Sequence, residues 1–271
     1  MNTATVLKWV HNHLLEQGGL EAWDGARVPY PEVAGYIIPS LLKHGDNDTA
    51  KILADWLCST QVMERDGGWR GIDGRKHTFD TASIVEGLMY IGGYKEATYK
   101  ALEWLYKMRR PDGFLKKHDM DEGTALYLCR ASAIIGDRAT VTKYLPAPTW
   151  NYAWGAVNRA HYIAYALEGM QWMGMDITEA LEMSKLARLP NGLMPLWVKS
   201  GWLDGGEDDV VATLQFALLF MRAGKADEGA RLMQACEPYI TPTGGVWQGS
   251  KDKRELSWGA KFYLDCTAEM L

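Results

Sequence analysis

The sequence of 271 residues is poor in cysteine and lacks long apolar runs. Its four cysteines stand far apart, with no Cys-x-x-Cys pair and no histidine at metal-ligand spacing, so we expect buried thiols in a reducing compartment and no metal site. No segment approaches the roughly 20 apolar residues of a membrane span. The N-terminal stretch MNTATVLKWVHNHLLEQ also lacks the apolar core and cleavage site of a signal peptide. These absences predict a cytoplasmic protein.

A strong charge of one sign is also missing. The 29 lysines and arginines face 34 aspartates and glutamates, which gives a formal charge of −5 with neutral histidines. Because there is no basic block, the sequence does not indicate a basic surface that would bind a nucleic-acid backbone. We expect neither a nucleic-acid nor a membrane partner. A content of 47% hydrophobic and 23% charged residues excludes disorder and collagen. The sequence leaves the oligomeric state open.

The sequence does contain an internal repeat. Trp9, Trp56 and Trp104 begin the similar stretches WVHNHLLEQ, WLCSTQ and WLYKMRR, at intervals of 47 and 48 residues. Repeats of this length are typical of stacked supersecondary units. Apolar residues recur at helical spacing, while alternating strand patterns are scarce. Glycines that follow apolar helical stretches predict helix ends at similar intervals, at Gly45, Gly92, Gly136, Gly174 and Gly224.

We therefore predict an all-α fold, a single α/α toroid of six helical hairpins that forms one domain over residues 1–271. Amphipathic first helices are expected in an outer ring, near 3–16, 47–62, 94–109, 137–145, 177–188 and 225–237. More apolar second helices are expected in an inner ring, near 32–44, 79–91, 122–135, 158–173, 208–223 and 256–270. The loops from first to second helices are long, roughly 12 to 20 residues, and meet on one face with the inner-helix N-termini, where we predict the site.

Particular segments resemble known α/α toroids. The stretch AKILADWLCSTQVMERDGGW at 50–69 resembles the Gln-Trp repeat of terpenoid cyclases and protein prenyltransferases, and EWLYKMRRPDGF and ITPTGGVW are degenerate copies. Similar Gly-Gly-Trp loops occur in six-hairpin glycosidases, polysaccharide lyases and uronate epimerases. The pieces VPYPEVAGYIIPSLL, FDTASIVEGLMYIGG, RAHYIAYALEGM and LSWGAKFYLDC resemble bacterial toroid proteins associated with polysaccharide synthesis, the group nearest to this chain. The resemblance spans nearly the full length and implies architecture more than chemistry.

The resemblance to isoprenoid enzymes lacks its catalytic residues. Class II cyclases protonate an alkene with an Asp-x-Asp-Asp motif, and the nearest match, Gly206-Glu207-Asp208-Asp209, has no first aspartate. Toroid prenyltransferases bind zinc through Asp, Cys and His, and Asp208 has no suitable Cys and His partners in the sequence. An isoprenoid enzyme is thus an alternative behind a carbohydrate-active enzyme, as is a non-catalytic toroid that binds a saccharide or a partner.

Carbohydrate chemistry needs aromatic platforms and two carboxylates about 5 to 10 Å apart. Carboxylates at predicted inner-helix starts are the candidates, and the same positions favour mere N-capping. Pro31 already begins its helix, so capping explains Glu32 less well. We predict the catalytic residues Glu32, Asp80, Asp209, His77 and His161, with Asp121, Glu122, Glu207 and Asp208 as further carboxylate candidates.

Aromatic and cationic residues complete the predicted site. A lyase or epimerase removes a proton beside a uronate carboxylate and needs a cation to neutralise that acid. We expect the substrate-binding residues Tyr30, Trp69, Arg70, Trp154, Tyr162, Trp202, Trp258 and Lys261. Lys261 lies in an apolar helix and needs a carboxylate partner, either Asp265 or Glu32. The expected ligand is a saccharide, uronate-containing or otherwise anionic, processed by acid/base hydrolysis or by lyase or epimerase chemistry without a cofactor.

Overall fold

The computed structural model describes residues 2–59, 62–120, 123–144, 157–199, 203–204 and 206–271. This part of the chain is mostly helical with a few short strands, which confirms the predicted fold class at that level. None of its helices is both long and apolar enough to cross a membrane. In chain order the α-helices of the described ranges are α1 Thr3–Asn12, α2 Pro31–Lys43, α3 Asn47–Leu57, α4 Thr78–Ile91, α5 Lys95–Lys107, α6 Leu128–Ile134, α7 Arg138–Lys143, α8 Ala160–Trp172, α9 Thr178–Ser184, α10 Val210–Arg222, α11 Ala226–Cys236 and α12 Ser257–Ala268.

The even-numbered helices contact one another in a closed ring. Helix α2 packs against α4, α4 against α6, α6 against α8, α8 against α10, α10 against α12, and α12 returns to α2. Each odd-numbered helix packs against at least one helix of this ring. The composition explains the two layers, because α4 and α10 are buried along almost their whole length, whereas α5 buries only Ala101, Trp104 and Leu105.

The markers of the repeat have the structural roles that were predicted for them. Trp9 and Trp104 are buried on odd-numbered helices, where they join the core. The predicted helix stops have the left-handed backbone that ends a helix, with φ between 66° and 77° at Gly45, Gly92, Gly136, Gly174 and Gly224. The four cysteines are free thiols, and all but the half-buried Cys58 are buried.

Several predicted helices are too long. Helix α3, predicted to reach residue 62, ends at Leu57. The first helix ends at Asn12 rather than at residue 16, because Leu14 pairs with Leu20 in an antiparallel bridge. Helix α6 begins at Leu128 rather than near residue 122. Upstream of it, the carbonyl of Gly123 accepts a hydrogen bond from the amide of Lys117, a loop contact that is incompatible with a helix at that point.

Short strands shape the loops before two ring helices. They form antiparallel pairs that the sequence analysis did not anticipate, and β1 leads into α8 while β5 leads into α10. The strands are β1 Val157–Arg159, β2 Met194–Pro195, β3 Trp197–Lys199, β4 Leu203–Asp204 and β5 Asp208–Asp209, with β3 between β1 and β4, and β2 paired with β5. These pairs fix where two ring helices begin.

Helices α2 and α4 approach closely because each places a glycine at their contact. A Cβ atom on Gly35 would lie 2.5 Å from the Cα of Ile84, and one on Gly87 would clash with the carbonyl oxygen of Gly35. Gly87→Ala is therefore expected to lower the free energy of unfolding by about 1 to 3 kcal/mol, measured by urea denaturation. Met89→Ala, at an exposed position of the same helix, is the control, and equal stability of the two variants would contradict the tight contact.

Candidate functional site

The loops that precede the ring helices surround a cavity of about 250 Å³, here called the loop-end cavity. Its lining residues come from the starts of α2, α4, α8 and α12 and from the segment before α6. They are distant in sequence and meet because the ring closes. The lining residues are Tyr30, Glu32, His77, Phe79, Asp80, Tyr127, His161, Tyr162, Tyr165 and Trp258.

Glu32 is the second residue of α2 and is buried against Trp258, the second residue of α12. The indole Nε1 of Trp258 donates to both carboxylate oxygens of Glu32, at 3.0 Å each. Burial, reinforced by the negative charge of Asp80, raises the pKa of Glu32 to about 8 against the opposing effect of the indole N–H. This environment favours the protonated form of Glu32, and the indole N–H holds the carboxyl group in one orientation.

Asp80 lies in the first turn of α4 and is also buried. The hydroxyl of Tyr30 donates to its Oδ2 at 2.8 Å, and the Tyr30 ring meets the edge of the Trp258 ring with centroids 5.9 Å apart. Burial raises the pKa of Asp80 to about 6, while His77 and the Tyr30 hydroxyl act in the opposite direction. Residue 77, not Asp80, is the N-cap of α4, so helix capping does not account for this carboxylate.

Burial raises the pKa of both carboxyl groups, and that of Glu32 is raised further than that of Asp80. The two environments therefore favour a proton on Glu32 and a negative charge on Asp80. Titratable groups whose environments separate their pKa values in this way are typical of an acid and a base in one active site. The pair can therefore donate a proton and supply a negative charge within one cavity.

His161 is a neutral imidazole at neutral pH. Burial lowers its pKa to about 4, although a hydrogen bond with Gln215 opposes the change. Its Nδ1 lies 3.0 Å from the Gln215 Oε1, and its ring contacts those of Tyr162 and Tyr165, with centroids 5.4 and 4.6 Å away. The imidazole is therefore able to accept a proton.

His77 lies at the exposed side of the cavity. Its Nε2 is 3.0 Å from both carboxylate oxygens of Asp73, and its ring meets the edge of the His118 ring. The contact with Asp73 orients the imidazole beside Asp80. His77 is thus a partly exposed residue of the cavity that lies beside Asp80.

Two predicted site residues serve the fold instead. Trp69 is fully buried, and its indole donates to the carbonyl of Leu57 at 2.9 Å, so it packs in the core and offers no face to a ligand. Asp209 caps α10 by accepting from the amide of Ala212 at 2.8 Å, and burial raises its pKa to about 7. Neither residue lines the loop-end cavity, and neither do Glu207 and Asp208.

Both predicted cations also lie away from the loop-end cavity. Lys261 is buried, with its Nζ 2.8 Å from Asp265, which is therefore its partner rather than Glu32. Arg70 is exposed and binds Glu64 and the carbonyl of Gly74 within its own loop, at 2.9 and 2.7 Å. Four further candidates lie outside the described residues: Asp121, Glu122, Trp154 and Trp202.

Three aromatic residues of the site were not predicted from the sequence. Phe79 precedes Asp80, and Tyr165 lies one turn after His161 on the same face of α8, a spacing that points to shared contacts. Tyr127 contacts Phe79 and Tyr162, with ring centroids 5.4 and 4.8 Å apart. It was missed because α6 was predicted to begin six residues earlier, which placed Tyr127 inside a helix.

No protein-family profile matches the sequence, and no curated protein matches it. Solved structures do match. An α-amylase from Clostridium perfringens superposes with a TM-score of 0.78 at 11% identity, covering 100% of this chain and 98% of the amylase. A sugar epimerase from a ruminal bacterium gives 0.67 at 11% identity, covering 98% of both chains.

The type II terpene cyclase MstE from Scytonema, as an Asp-to-Asn variant with its substrate, gives a TM-score of 0.67 at 12% identity, covering 99% of this chain and 96% of that chain. At such low identities the likeness shows the fold alone. Different chemistries occur on one fold, so the site must decide the function. The chain has the helical fold that a glycosidase, a sugar epimerase and a terpene cyclase share.

Proposed function

We propose that this chain is a single toroid of six helical hairpins, residues 1–271, that hydrolyses a glycosidic bond of a neutral saccharide in the loop-end cavity. The observation that carries the proposal is the pair of buried carboxyl groups, Glu32 and Asp80, which line one cavity and whose pKa values are raised to different extents. Glycoside hydrolysis needs an acid to protonate the leaving oxygen and a carboxylate that acts as base or nucleophile. Glu32 supplies the acid, and Asp80 supplies the carboxylate.

The partners of the two carboxyl groups support these roles. The Trp258 N–H bridges both oxygens of Glu32, so it orients the acid and stabilises the carboxylate that remains after proton transfer. The Tyr30 hydroxyl holds one oxygen of Asp80 and leaves the other for the reaction. The negative charge of Asp80 stabilises the positive charge that develops on the sugar ring in the transition state.

The lining of the cavity favours a neutral sugar. Tyr30, Tyr127, Tyr162 and Trp258 provide aromatic surfaces for the C–H faces of sugar rings. No lysine or arginine is found among the described lining residues, and the charge of Asp80 would repel a uronate. We therefore propose a neutral substrate in place of the anionic one expected from the sequence.

Sugar epimerisation is the second candidate, and His161 is the observation that favours it. Its partly buried, unprotonated imidazole can remove a proton from carbon, with Glu32 as the acid that protonates the opposite face. The products separate the two reactions, because hydrolysis releases a new reducing end and epimerisation changes only the configuration of one carbon.

The test is an incubation of the purified protein with neutral and uronic-acid oligosaccharides. We expect new reducing ends from a neutral oligosaccharide and a bell-shaped dependence of kcat/KM on pH. Activity should rise as Asp80 loses its proton near pH 6 and fall as Glu32 loses its proton near pH 8.

Other outcomes of the same screen would contradict the hydrolase proposal. An isomerised sugar without new reducing ends would identify an epimerase. An unsaturated, ultraviolet-absorbing product from a uronate would identify a lyase. Saccharide binding without turnover would leave a binding protein, and exclusive binding of prenyl diphosphates would point to isoprenoid chemistry.

A further inference from the structure

A second cavity of about 250 Å³ opens at the opposite end of the ring, where the even-numbered helices end, and is here called the far-end cavity. Most of its lining residues come from the C-terminal halves of α2, α4, α8, α10 and α12, while Tyr36, Lys261 and Arg130 lie further from the ends of their helices. A layer of aromatic rings separates it from the loop-end cavity. In that layer Tyr36, which lines the far-end cavity, contacts Phe79 and Tyr165, which line the loop-end cavity.

The charges around the far-end cavity balance. Four cations and four carboxylates line it, and they pair with one another. The pairs are Arg130 with Glu86 and Glu168, Lys261 with Asp265, and both Lys43 and Arg222 with Glu269. A bound anion would lie beside the carboxylates, and a bound cation would lie beside the basic groups. Either ion would have to separate existing ion pairs. A neutral polar molecule meets no such penalty.

The described walls of the far-end cavity offer donors and acceptors that the fold does not use. Arg222 binds Glu269 through Nε, which leaves its two Nη groups. Gln171 donates through Nε2 to the carbonyl of Leu219, which leaves its Oε1 as an acceptor. The Tyr90 hydroxyl and the Trp172 indole N–H face no partner in the described chain. A sugar hydroxyl both donates and accepts, so mixed walls of this kind suit it.

Two aromatic rings stand at the mouth of the far-end cavity. Tyr90 is 50% exposed and Trp172 46% exposed, although large aromatic side chains normally bury most of their surface. Their ring centroids lie 6.4 Å apart with an interplanar angle of 69°. Two surfaces at this angle can contact the C–H face and the edge of one sugar ring. The volume lies below the range of about 300 to 1,000 Å³ that is typical for drug-sized ligands, so the cavity suits one sugar unit.

We propose that the far-end cavity is a second saccharide-binding site, which binds one unit of a neutral sugar chain and takes no part in the chemistry at the loop-end cavity. Trp172 and Tyr90 contact the sugar ring, while Arg222 and Gln171 bind its hydroxyls. The site gives the protein a second contact with its ligand, at the end of the helix ring opposite the loop-end cavity. It does not depend on Glu32 or Asp80 and so goes beyond the proposed hydrolysis.

The test measures binding of maltotetraose, cellotetraose and xylotetraose by calorimetry and by saturation-transfer NMR. It uses the Glu32→Gln protein, in which turnover is removed, with Trp172→Ala or Arg222→Gln added. We expect at least one probe to bind and each added substitution to weaken that binding about tenfold. Tyr99→Ala, which removes a ring that is 66% exposed on α5, is the matched control and should leave the affinity unchanged. Thermal melts verify that each variant is folded.

Three results would overturn the second site. The first is that no probe binds at tens of millimolar. The second is that the Trp172→Ala and Tyr99→Ala proteins bind the probe with equal affinity. The third is that Trp258→Phe abolishes all binding while Trp172→Ala has no effect. Failure of the proposed hydrolysis can be distinguished from failure of the second site. A protein without turnover whose binding still depends on Trp172 would keep the second site and lose the hydrolase.

Discussion

Glu32→Gln is expected to lower kcat/KM by about 10²-fold or more, because glutamine keeps the shape of the side chain but has no proton to give to the leaving oxygen. The amide oxygen still accepts from the Trp258 N–H, so the local structure should persist. Steady-state kinetics on the saccharide found by the screen is the measurement. Asp80→Asn should cause a loss of similar size, because it removes the negative charge that faces the sugar.

The same substitution at Glu32 is expected to stabilise the protein. The pKa of Glu32 is about 8 in the folded chain against an ordinary 4.5, so folding takes up a proton between these values and stability falls as pH rises through that window. Glutamine removes this cost and should raise the free energy of unfolding at pH 7 to 8 by about 1 to 3 kcal/mol. If the Glu32 carboxylate mainly stabilised the fold, Glu32→Gln would instead lower the free energy of unfolding.

Two aspartates provide matched controls for Asp80→Asn. Asp46 caps α3 and Asp209 caps α10, each through a hydrogen bond to a backbone amide of the first turn. Asparagine caps a helix about as well as aspartate, so the corresponding asparagine variants should keep the caps and retain turnover. Near wild-type turnover of Glu32→Gln and Asp80→Asn, with intact controls, would remove both residues from the mechanism.

The sequence carried enough information to predict which residues meet at the loop face. Once two helix layers and a closed ring were inferred from the 47- and 48-residue intervals, the starts of α2 and α12 had to be neighbours. Glu32 and Trp258 are in fact hydrogen-bonded although 226 residues separate them. A repeat pattern is visible without any knowledge of side-chain packing and predicts stacked helical units. Closure of the stack into a ring was a further step of the prediction, and the contact between α12 and α2 agrees with it.

Side-chain direction was less predictable. The Gly-Gly-Trp segment correctly marked a loop, but the direction of Trp69 depends on the packing beneath that loop, and the indole turns inward to the Leu57 carbonyl. For Lys261 the two candidate partners had equal standing in the sequence. The helical spacing of four residues brings Asp265 within 2.8 Å, while Glu32 is held by Trp258. Such choices are set by tertiary contacts that periodicity does not encode.

Arg130→Met is expected to cause the largest loss of stability. The guanidinium of Arg130 is buried, contacts Glu86 and Glu168, and stacks over the Tyr36 ring with its Cζ 4.3 Å from the centroid. Removing it leaves two carboxylates buried without their cation, which typically costs about 3 to 5 kcal/mol. Urea denaturation at pH 7 measures the effect, and an unchanged midpoint would show that neither carboxylate depends on Arg130.

A triple variant is expected to show whether the loss of stability in Arg130→Met comes from unpaired charge or from altered side-chain shape. Adding Glu86→Gln and Glu168→Gln to Arg130→Met removes both unpaired charges while nearly preserving the volume of the side chains, so the triple variant should recover much of the lost stability. The catalytic site should register the change as well, because the positive charge of Arg130 helps to lower the pKa of Glu32. Without that charge the pKa of Glu32 rises further, so the alkaline limb of the pH profile should move to higher pH in Arg130→Met, whereas the loss of the negative charges of Glu86 and Glu168 in the triple variant acts in the opposite direction. An unshifted limb in folded Arg130→Met would mean that Arg130 stabilises the ring without affecting the acid across the aromatic layer.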